Sequence, residues 1–173
     1  HGVHRRQRQM CIRDSLNPNE AEGSWGMLDW DHFNLNTIDY INTVNRIWVD
    51  EYKVDGFRFD AMYMIGWDMQ QQEYGIPGWS TALYNYDSTI YQIAEHLPSN
   101  PWLIDNTDLS SGWHDSFHDR LLNDVHNQSL GTISIMRQIV GLHEYSDWGD
   151  PYSDRTQAVK YMVSHDEQSI LCL

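Results

Sequence analysis

The sequence has few cysteines and few basic residues, and both absences exclude classes of protein. Its 173 residues contain two cysteines, Cys11 and Cys172, which are too few for a disulfide framework. No run of about eighteen apolar residues occurs, so no segment has the composition of a membrane span. Lysine and arginine together number 11 against 25 acidic residues, which gives a formal net charge of −14. This charge argues against nucleic acid and anionic membrane surfaces as partners.

The basic residues that are present gather near the start of the chain. Four of the 11 lie between Arg5 and Arg13, and this run differs from everything that follows it. One interpretation is a basic arm for an anionic partner. We prefer to interpret residues 1–15 as a non-native or read-through segment, and we exclude them from the fold. Residues 16–173 then form the part whose fold we predict.

The most informative stretch is Val54–Ala61, an apolar strand that runs into charged residues. In a strand, alternate side chains share a face, so Arg58 and Asp60 are predicted to lie side by side. A neighbouring cation favours the carboxylate form, so we expect Asp60 to stay ionised near neutral pH. An ionised carboxylate at a strand end can serve as a nucleophile. A purely structural Arg–Asp pair is the alternative.

Two more carboxylates follow short apolar runs in the same way. Glu95 ends the run Ile93-Ala94, and Asp166 follows Tyr161–His165. About thirty-five residues separate Asp60 from Glu95, and about seventy separate Glu95 from Asp166. A strand and its following helix take ~30 to 40 residues, so the first spacing corresponds to one such unit and the second to two. Acidic residues at the carboxyl ends of parallel strands are typical of barrel enzymes.

With these motifs in this order, the chain resembles the α-amylase family of glycoside hydrolases and transglycosidases. The Gly-x-Arg-x-Asp of that family's second signature region corresponds to Gly56, Arg58 and Asp60. The third region, an apolar strand that ends in Glu, corresponds to the strand before Glu95. The fourth region, which ends in His-Asp, corresponds to Val163–Asp166. The resemblance extends from about residue 24 to residue 171, and segment 112–119 is similar to the branching-enzyme and trehalohydrolase side of the family.

The resemblance implies a fold and a set of roles. The fold is α/β, a partial (β/α)8 TIM barrel that covers roughly strands 4 to 7, because a whole barrel needs about 250 residues. The resemblance makes Asp60 the nucleophile, Glu95 the acid/base and Asp166 a third catalytic carboxylate. Arg58 and His165 become substrate-binding residues. Because the first signature region is not visible, we expect the 173 residues alone to be inactive.

The implied activity is retaining hydrolysis of α-glucosidic bonds in starch, glycogen or maltooligosaccharides. Two alternatives stay open: a 1,4-α-glucan branching transglycosidase, and a non-catalytic barrel scaffold of the kind found among relatives that have lost their carboxylates. Ala61–Met64 stands where many amylases have Lys-His, and Ser164–Glu167 is closer to branching enzymes. The resemblance implies an α-glucan as the partner and no cofactor. Calcium occurs in some family members, but its ligands begin in the first region, so the resemblance leaves calcium open for the full-length protein.

The sequence also suggests a second kind of site and a set of elements. His114 and His118 lie four apart, a spacing that can bind a metal on a helix. We prefer a polar role at the surface or in support of the site's residues, and we predict no metal site. The periodicity predicts a helix over Thr37–Tyr52 with Asn36 as its N-cap, and an apolar face formed by Ile38, Ile41, Val44, Ile47 and Trp48. The remaining predicted elements are strands at Val54–Phe59, Ile90–Glu95 and Ala158–Val163, helices at Ser80–Asn85 and Thr132–Leu142, a loop at Gly66–Gly78, and a strand or helix within Trp113–Asn123.

Overall fold

A computed structural model describes residues 30–65, 75–97, 99–127 and 152–166. The fold is mixed α/β and contains a four-stranded parallel sheet. In chain order the elements are α1 (Leu35–Asp50), β1 (Gly56–Phe59), a 3-10 turn (Met62–Met64), α2 (Gly75–Tyr86), β2 (Tyr91–Ala94), α3 (Pro101–Asp105), β3 (Ser111–Trp113), α4 (Asp115–His126), a second 3-10 turn (Arg155–Gln157) and β4 (Ala158–Val159). Among the described helices, none has both the length and the hydrophobicity needed to cross a membrane.

The four strands lie side by side in the order in which the chain makes them, β1-β2-β3-β4. Phe59 pairs with Ala94, and Ala94 pairs with Gly112, so the last residues of β1 and β2 stand level. The two predicted strands Val54–Phe59 and Ile90–Glu95 are therefore confirmed, each slightly shorter than predicted. The carboxyl ends of β1 and β2 meet at one edge of the sheet, since parallel strands point the same way.

Gly56 opens β1 because the neighbouring strand leaves no room for a side chain. A Cβ atom placed on Gly56 would lie 2.5 Å from the backbone carbonyl oxygen of Tyr91, its partner in β2. Backbone atoms of a paired strand cannot move aside as a flexible side chain can. The Gly of the Gly-x-Arg-x-Asp motif therefore has a structural role in strand pairing.

The described chain divides into two compact units. One consists of the described parts of 1–55 and 62–90, where α1 packs against α2. The other consists of 56–61 and the described parts of 91–173 and contains the sheet. The buried apolar side chains of the first unit are Met62, Ile65, Ile76, Leu83 and Ile90, and those of the second are Phe59, Ala94, Leu103, Ile104, Leu109, Phe117 and Tyr152.

Helix α1 begins and ends two residues before the predicted bounds. Its N-cap is Asn34, whose side chain accepts a hydrogen bond from the backbone N–H of Asn36 at 2.9 Å, so the prediction of Asn36 as the cap was wrong. The predicted apolar face is also less buried than expected. Ile47 and Trp48 are 45% and 46% exposed, and Thr37 is the buried residue of the helix. Periodicity gives the direction of an apolar face but not whether another element covers it.

Several later elements also differ from their predictions. Helix α2 extends from Gly75 to Tyr86, which is longer than predicted and includes the end of the predicted loop. Pro101 begins α3, and the side chain of Asn100 caps that helix by accepting from the Leu103 N–H. Proline suits this place because the first helical N–H has no partner within the helix.

The structure describes two of the later predicted elements, and two others lie outside the described residues. The segment from Trp113 contains both candidates, since β3 ends at Trp113 and α4 begins at Asp115. The strand predicted over Ala158–Val163 ends at Val159, because the chain beyond it makes no further ladder bonds. The predicted helix Thr132–Leu142 and most of the predicted loop, including Trp67 and Tyr74, lie outside the described residues.

Candidate active site

The predicted nucleophile and the predicted acid/base follow neighbouring strands directly. Asp60 comes immediately after β1, and Glu95 comes immediately after β2. The backbone N–H of Glu95 donates to the carbonyl oxygen of Phe59 at 3.0 Å, which extends the strand pairing to the site itself. Parallel pairing and a two-residue side-chain period place Asp60 and Glu95 on the same face of the sheet as Arg58.

Arg58 connects all three predicted catalytic carboxylates. Its Nη1 donates to Oδ1 of Asp60, and its Nη2 donates to Oε1 of Glu95. The same Nη2 lies 3.8 Å from Oδ2 of Asp166. The prediction that Arg58 stands beside Asp60 is thus confirmed, but it was incomplete because it did not foresee the contact with Glu95. One guanidinium therefore brings together residues that are far apart in the chain.

Glu95 is the most enclosed of the three carboxyl groups. Its side chain is 10% exposed, against 70% for Asp60 and 56% for Asp166. Its Oε2 accepts a hydrogen bond of 2.7 Å from the backbone N–H of Ala61. Ala61 has a φ of 44°, a left-handed conformation that costs a non-glycine residue of the order of 1 kcal/mol or more. The chain therefore turns sharply after Asp60 and aims an N–H at Glu95.

The enclosed position of Glu95 changes its pKa. Burial is the main cause that raises the pKa of Glu95 above its usual range, and the hydrogen bond and negative charge of Asp60 add to it. The Ala61 N–H and the Arg58 charge oppose this rise, but the net direction is upward. A raised pKa is what a general acid needs, and it agrees with the prediction for Glu95.

Asp166 and His165 lie near this pair but are held differently. They follow β4, which is the second strand after β2, as the spacing between Glu95 and Asp166 predicted. Oδ2 of Asp166 lies 2.9 Å from Nε2 of His165, and both side chains are more than half exposed. The Asp166 backbone N–H donates a hydrogen bond to Ser164 Oγ at 3.2 Å. Arg58 is what connects them to the other two carboxyl groups.

Trp113 is a member of the site that sequence reasoning missed. It ends β3, and its ring lies under the Arg58 guanidinium, with Cζ 5.2 Å from the ring centroid. Its position in the chain could have indicated this role, because Trp113 is the last residue of the third parallel strand, as Phe59 and Ala94 are of the first two. The sequence did not decide between strand and helix there, so that signal could not be used.

The two histidines considered as metal ligands are 0% and 2% exposed, so a polar surface role for them was wrong. His114 is the N-cap of α4, and its Nδ1 accepts from the Phe117 N–H at 3.0 Å. Nδ1 of His118 lies 3.2 Å from Oδ1 of Asp119. Within the described ranges, no three His, Cys, Asp or Glu side chains are grouped so that they could hold a metal ion.

Comparison with known proteins adds no further assignment. No family model matches the chain, and no curated protein matches it either.

Proposed function

We propose that the chain is part of a (β/α)8 barrel of the α-amylase type and acts as a retaining glycosidase on α-glucosidic bonds of starch, glycogen or maltooligosaccharides. The observation that carries the proposal is the Asp60–Arg58–Glu95 arrangement at the level ends of two adjacent parallel strands. Retaining glycosidases need two carboxyl groups on either side of the bond that they cleave. One must be ionised and reachable, and the other must hold a proton.

The residues fit the two steps of that reaction. Asp60, the more exposed carboxylate, attacks the anomeric carbon, and the bond to the leaving sugar oxygen breaks as Glu95 gives that oxygen its proton. Glu95 then removes a proton from an incoming water, whose oxygen displaces Asp60 from the anomeric carbon. The raised pKa of Glu95 suits the first step. Asp166 and His165 offer an acceptor and a donor for sugar hydroxyls near Arg58.

Strand order supports the barrel part of the proposal. In β1-β2-β3-β4 each strand neighbours the one that precedes it in the chain, so every crossover moves in the same direction. A barrel requires this order, whereas a doubly wound sheet reverses its order at a switch point. Catalytic residues in a barrel lie at the carboxyl ends of the strands, where Asp60 and Glu95 are placed.

The function is tested in a chimera, because four strands make half of an eight-stranded barrel. Residues 16–173 replace the corresponding segment of a complete α-amylase-family barrel, and amylose is the substrate. We expect cleavage with retention of the anomeric configuration. Asp60→Asn and Glu95→Gln should each reduce turnover at least about a thousandfold, while Asp119→Asn, an exposed carboxylate on α4, should leave it unchanged. Undiminished turnover in Asp60→Asn would refute the assignment.

A branching transglycosidase remains the second candidate, favoured by the segment Ser164–Glu167. In that reaction a sugar hydroxyl, instead of water, displaces Asp60. The same chimera separates the two activities. New reducing ends accumulate if water is the acceptor, and 1,6 branch points accumulate without them if a sugar is the acceptor.

A further inference from the structure

Arg58 contacts all three carboxyl groups of the proposed site, so the orientation of its guanidinium affects the whole site. A guanidinium is planar and carries five N–H donors that all point outward in its plane. Nη1 and Nη2 of Arg58 use this edge for Asp60, Glu95 and Asp166. The flat face has no donors, so an aromatic ring beside it can restrict its tilt without competing for the N–H groups. Cζ of Arg58 lies over the Trp113 ring, 5.2 Å from the ring centroid.

Trp113 is itself firmly placed. Its backbone pairs with Val159 of β4, and its carbonyl oxygen accepts a 3.0 Å hydrogen bond from Ser99 Oγ. Its ring packs on the ring of Tyr161, with centroids 4.6 Å apart. Tyr161 in turn stacks on His118 at 5.5 Å and 11° between planes. His118 is 2% exposed, so this series of rings runs from the charged site to a buried side chain.

We propose that Trp113 is a positioning residue that holds the Arg58 guanidinium in the plane from which it reaches all three carboxyl groups. The importance of this role for catalysis rests on the proposed function, but the role itself does not. Without the ring, the guanidinium keeps its charge and loses its fixed orientation. Part of the time it then points away from Glu95, the most enclosed of its three partners.

Titration of Glu95 tests the proposal in the 173-residue chain without any need for activity. Carbon-13 NMR of labelled glutamate side chains follows the carboxyl group, and Glu95→Gln identifies its signal. A cation at contact range lowers a carboxyl pKa by about one to three units, so Trp113→Leu should raise the pKa of Glu95 by about one unit. Trp113→Phe retains a flat ring and should shift it less. Trp48→Leu, a half-exposed tryptophan on α1, should leave it unchanged.

A double variant separates positioning from a general disturbance of the sheet. If Trp113 acts through Arg58, Trp113→Leu adds no further shift of the Glu95 pKa in an Arg58→Met background. An equal shift in both backgrounds, or no shift in either, overturns the proposal. If Trp113→Leu fails to fold, proton NMR of the parent chain tests the proposal. The ring current of the Trp113 indole should move the chemical shifts of the Arg58 guanidinium protons upfield, and Trp113→Phe should reduce this change. Guanidinium protons at ordinary positions contradict the proposed stack.

The chimera adds a kinetic readout. Trp113→Leu should lower kcat about tenfold and change KM less, since a misplaced catalytic group affects the transition state more than substrate binding. Equal loss of kcat in Trp48→Leu would contradict a specific role. An inactive parent chimera would refute the proposed function and leave the Glu95 titration as the test of Trp113. The proposed function and the proposed role of Trp113 can therefore be refuted independently of each other.

Discussion

Replacing Arg58 by methionine removes the side chain that contacts Asp60, Glu95 and Asp166 together, and the structure sets the size of the effect. The side chains of Asp60 and Asp166 are more than half exposed, so each contact contributes ~0 to 1 kcal/mol. The Glu95 contact is more enclosed, with 22% exposure for Arg58 and 10% for Glu95. Breaking a fully buried pair costs ~3 to 5 kcal/mol, so we expect Arg58→Met to lower the free energy of unfolding by about 2 kcal/mol at pH 7.

The loss should depend on pH in a direction that follows from the raised pKa of Glu95. An acid whose pKa is higher in the folded state than in the unfolded state stabilises the fold fully only below its unfolded pKa. That stability is lost as the pH rises through the folded pKa, since ionisation is then easier in the unfolded chain. Arg58→Met removes a charge that opposes the rise in the Glu95 pKa. The variant should therefore be closest to the parent at about pH 3.5, with the difference growing toward neutrality.

Urea unfolding at a series of pH values measures this difference. Arg46→Met is the matched control, because Arg46 is exposed and lies 4.8 Å from the centroid of the Tyr86 ring, a contact that contributes less than about 1 kcal/mol. If Arg58→Met is as stable as the parent at pH 7, Arg58 does not hold the three carboxyl groups together. A loss of the same size at pH 3.5 and pH 7 would show that the effect comes from packing and not from charge.

Two further predictions compare a residue with a near twin. Gly56→Ala should lower the free energy of unfolding by ~1 to 3 kcal/mol, because the new Cβ meets backbone atoms of the neighbouring strand. Gly112→Ala should cost less, because the nearest atom to its Cβ is the side-chain hydroxyl of Tyr152 at 2.9 Å. Equal losses in urea unfolding would contradict this explanation of Gly56. Asn34→Ala should lower the free energy of unfolding by about 1 kcal/mol, because α1 loses its N-cap, and Asn36→Ala should lower it much less. If thermal unfolding shows the larger loss for Asn36→Ala, Asn36 is the N-cap, as the sequence predicted.

The parts of the fold that sequence could predict are those encoded by local pattern. Short apolar runs that end in a charged residue identified β1 and β2 and placed Asp60 and Glu95 at their ends. The alternation of side chains placed Arg58 beside Asp60. The Asn34 cap was missed because Asn36 is an equally good capping residue by type, and only the backbone conformation distinguishes them.

The parts that sequence could not predict depend on contacts between distant residues. The donor from Ala61 to Glu95 requires a left-handed φ that alanine does not favour, so no propensity indicates it. The Trp113–Arg58 stack depends on the pairing of β1, β2 and β3. Exposure of Ile47 and Trp48 likewise depends on what packs against α1, which the periodicity of one helix does not contain.

The central claim, that Asp60 forms a bond to the sugar and Glu95 moves the protons, can be tested most directly by trapping the intermediate. In the Glu95→Gln chimera, α-maltosyl fluoride needs no acid to expel fluoride, so Asp60 can still react, but no base remains to activate water. Peptide mass spectrometry should then find a maltosyl group on the peptide that contains Asp60, and Asp60→Asn should abolish it. A maltosyl group on another carboxylate, or none while fluoride is released at an undiminished rate, would contradict the account.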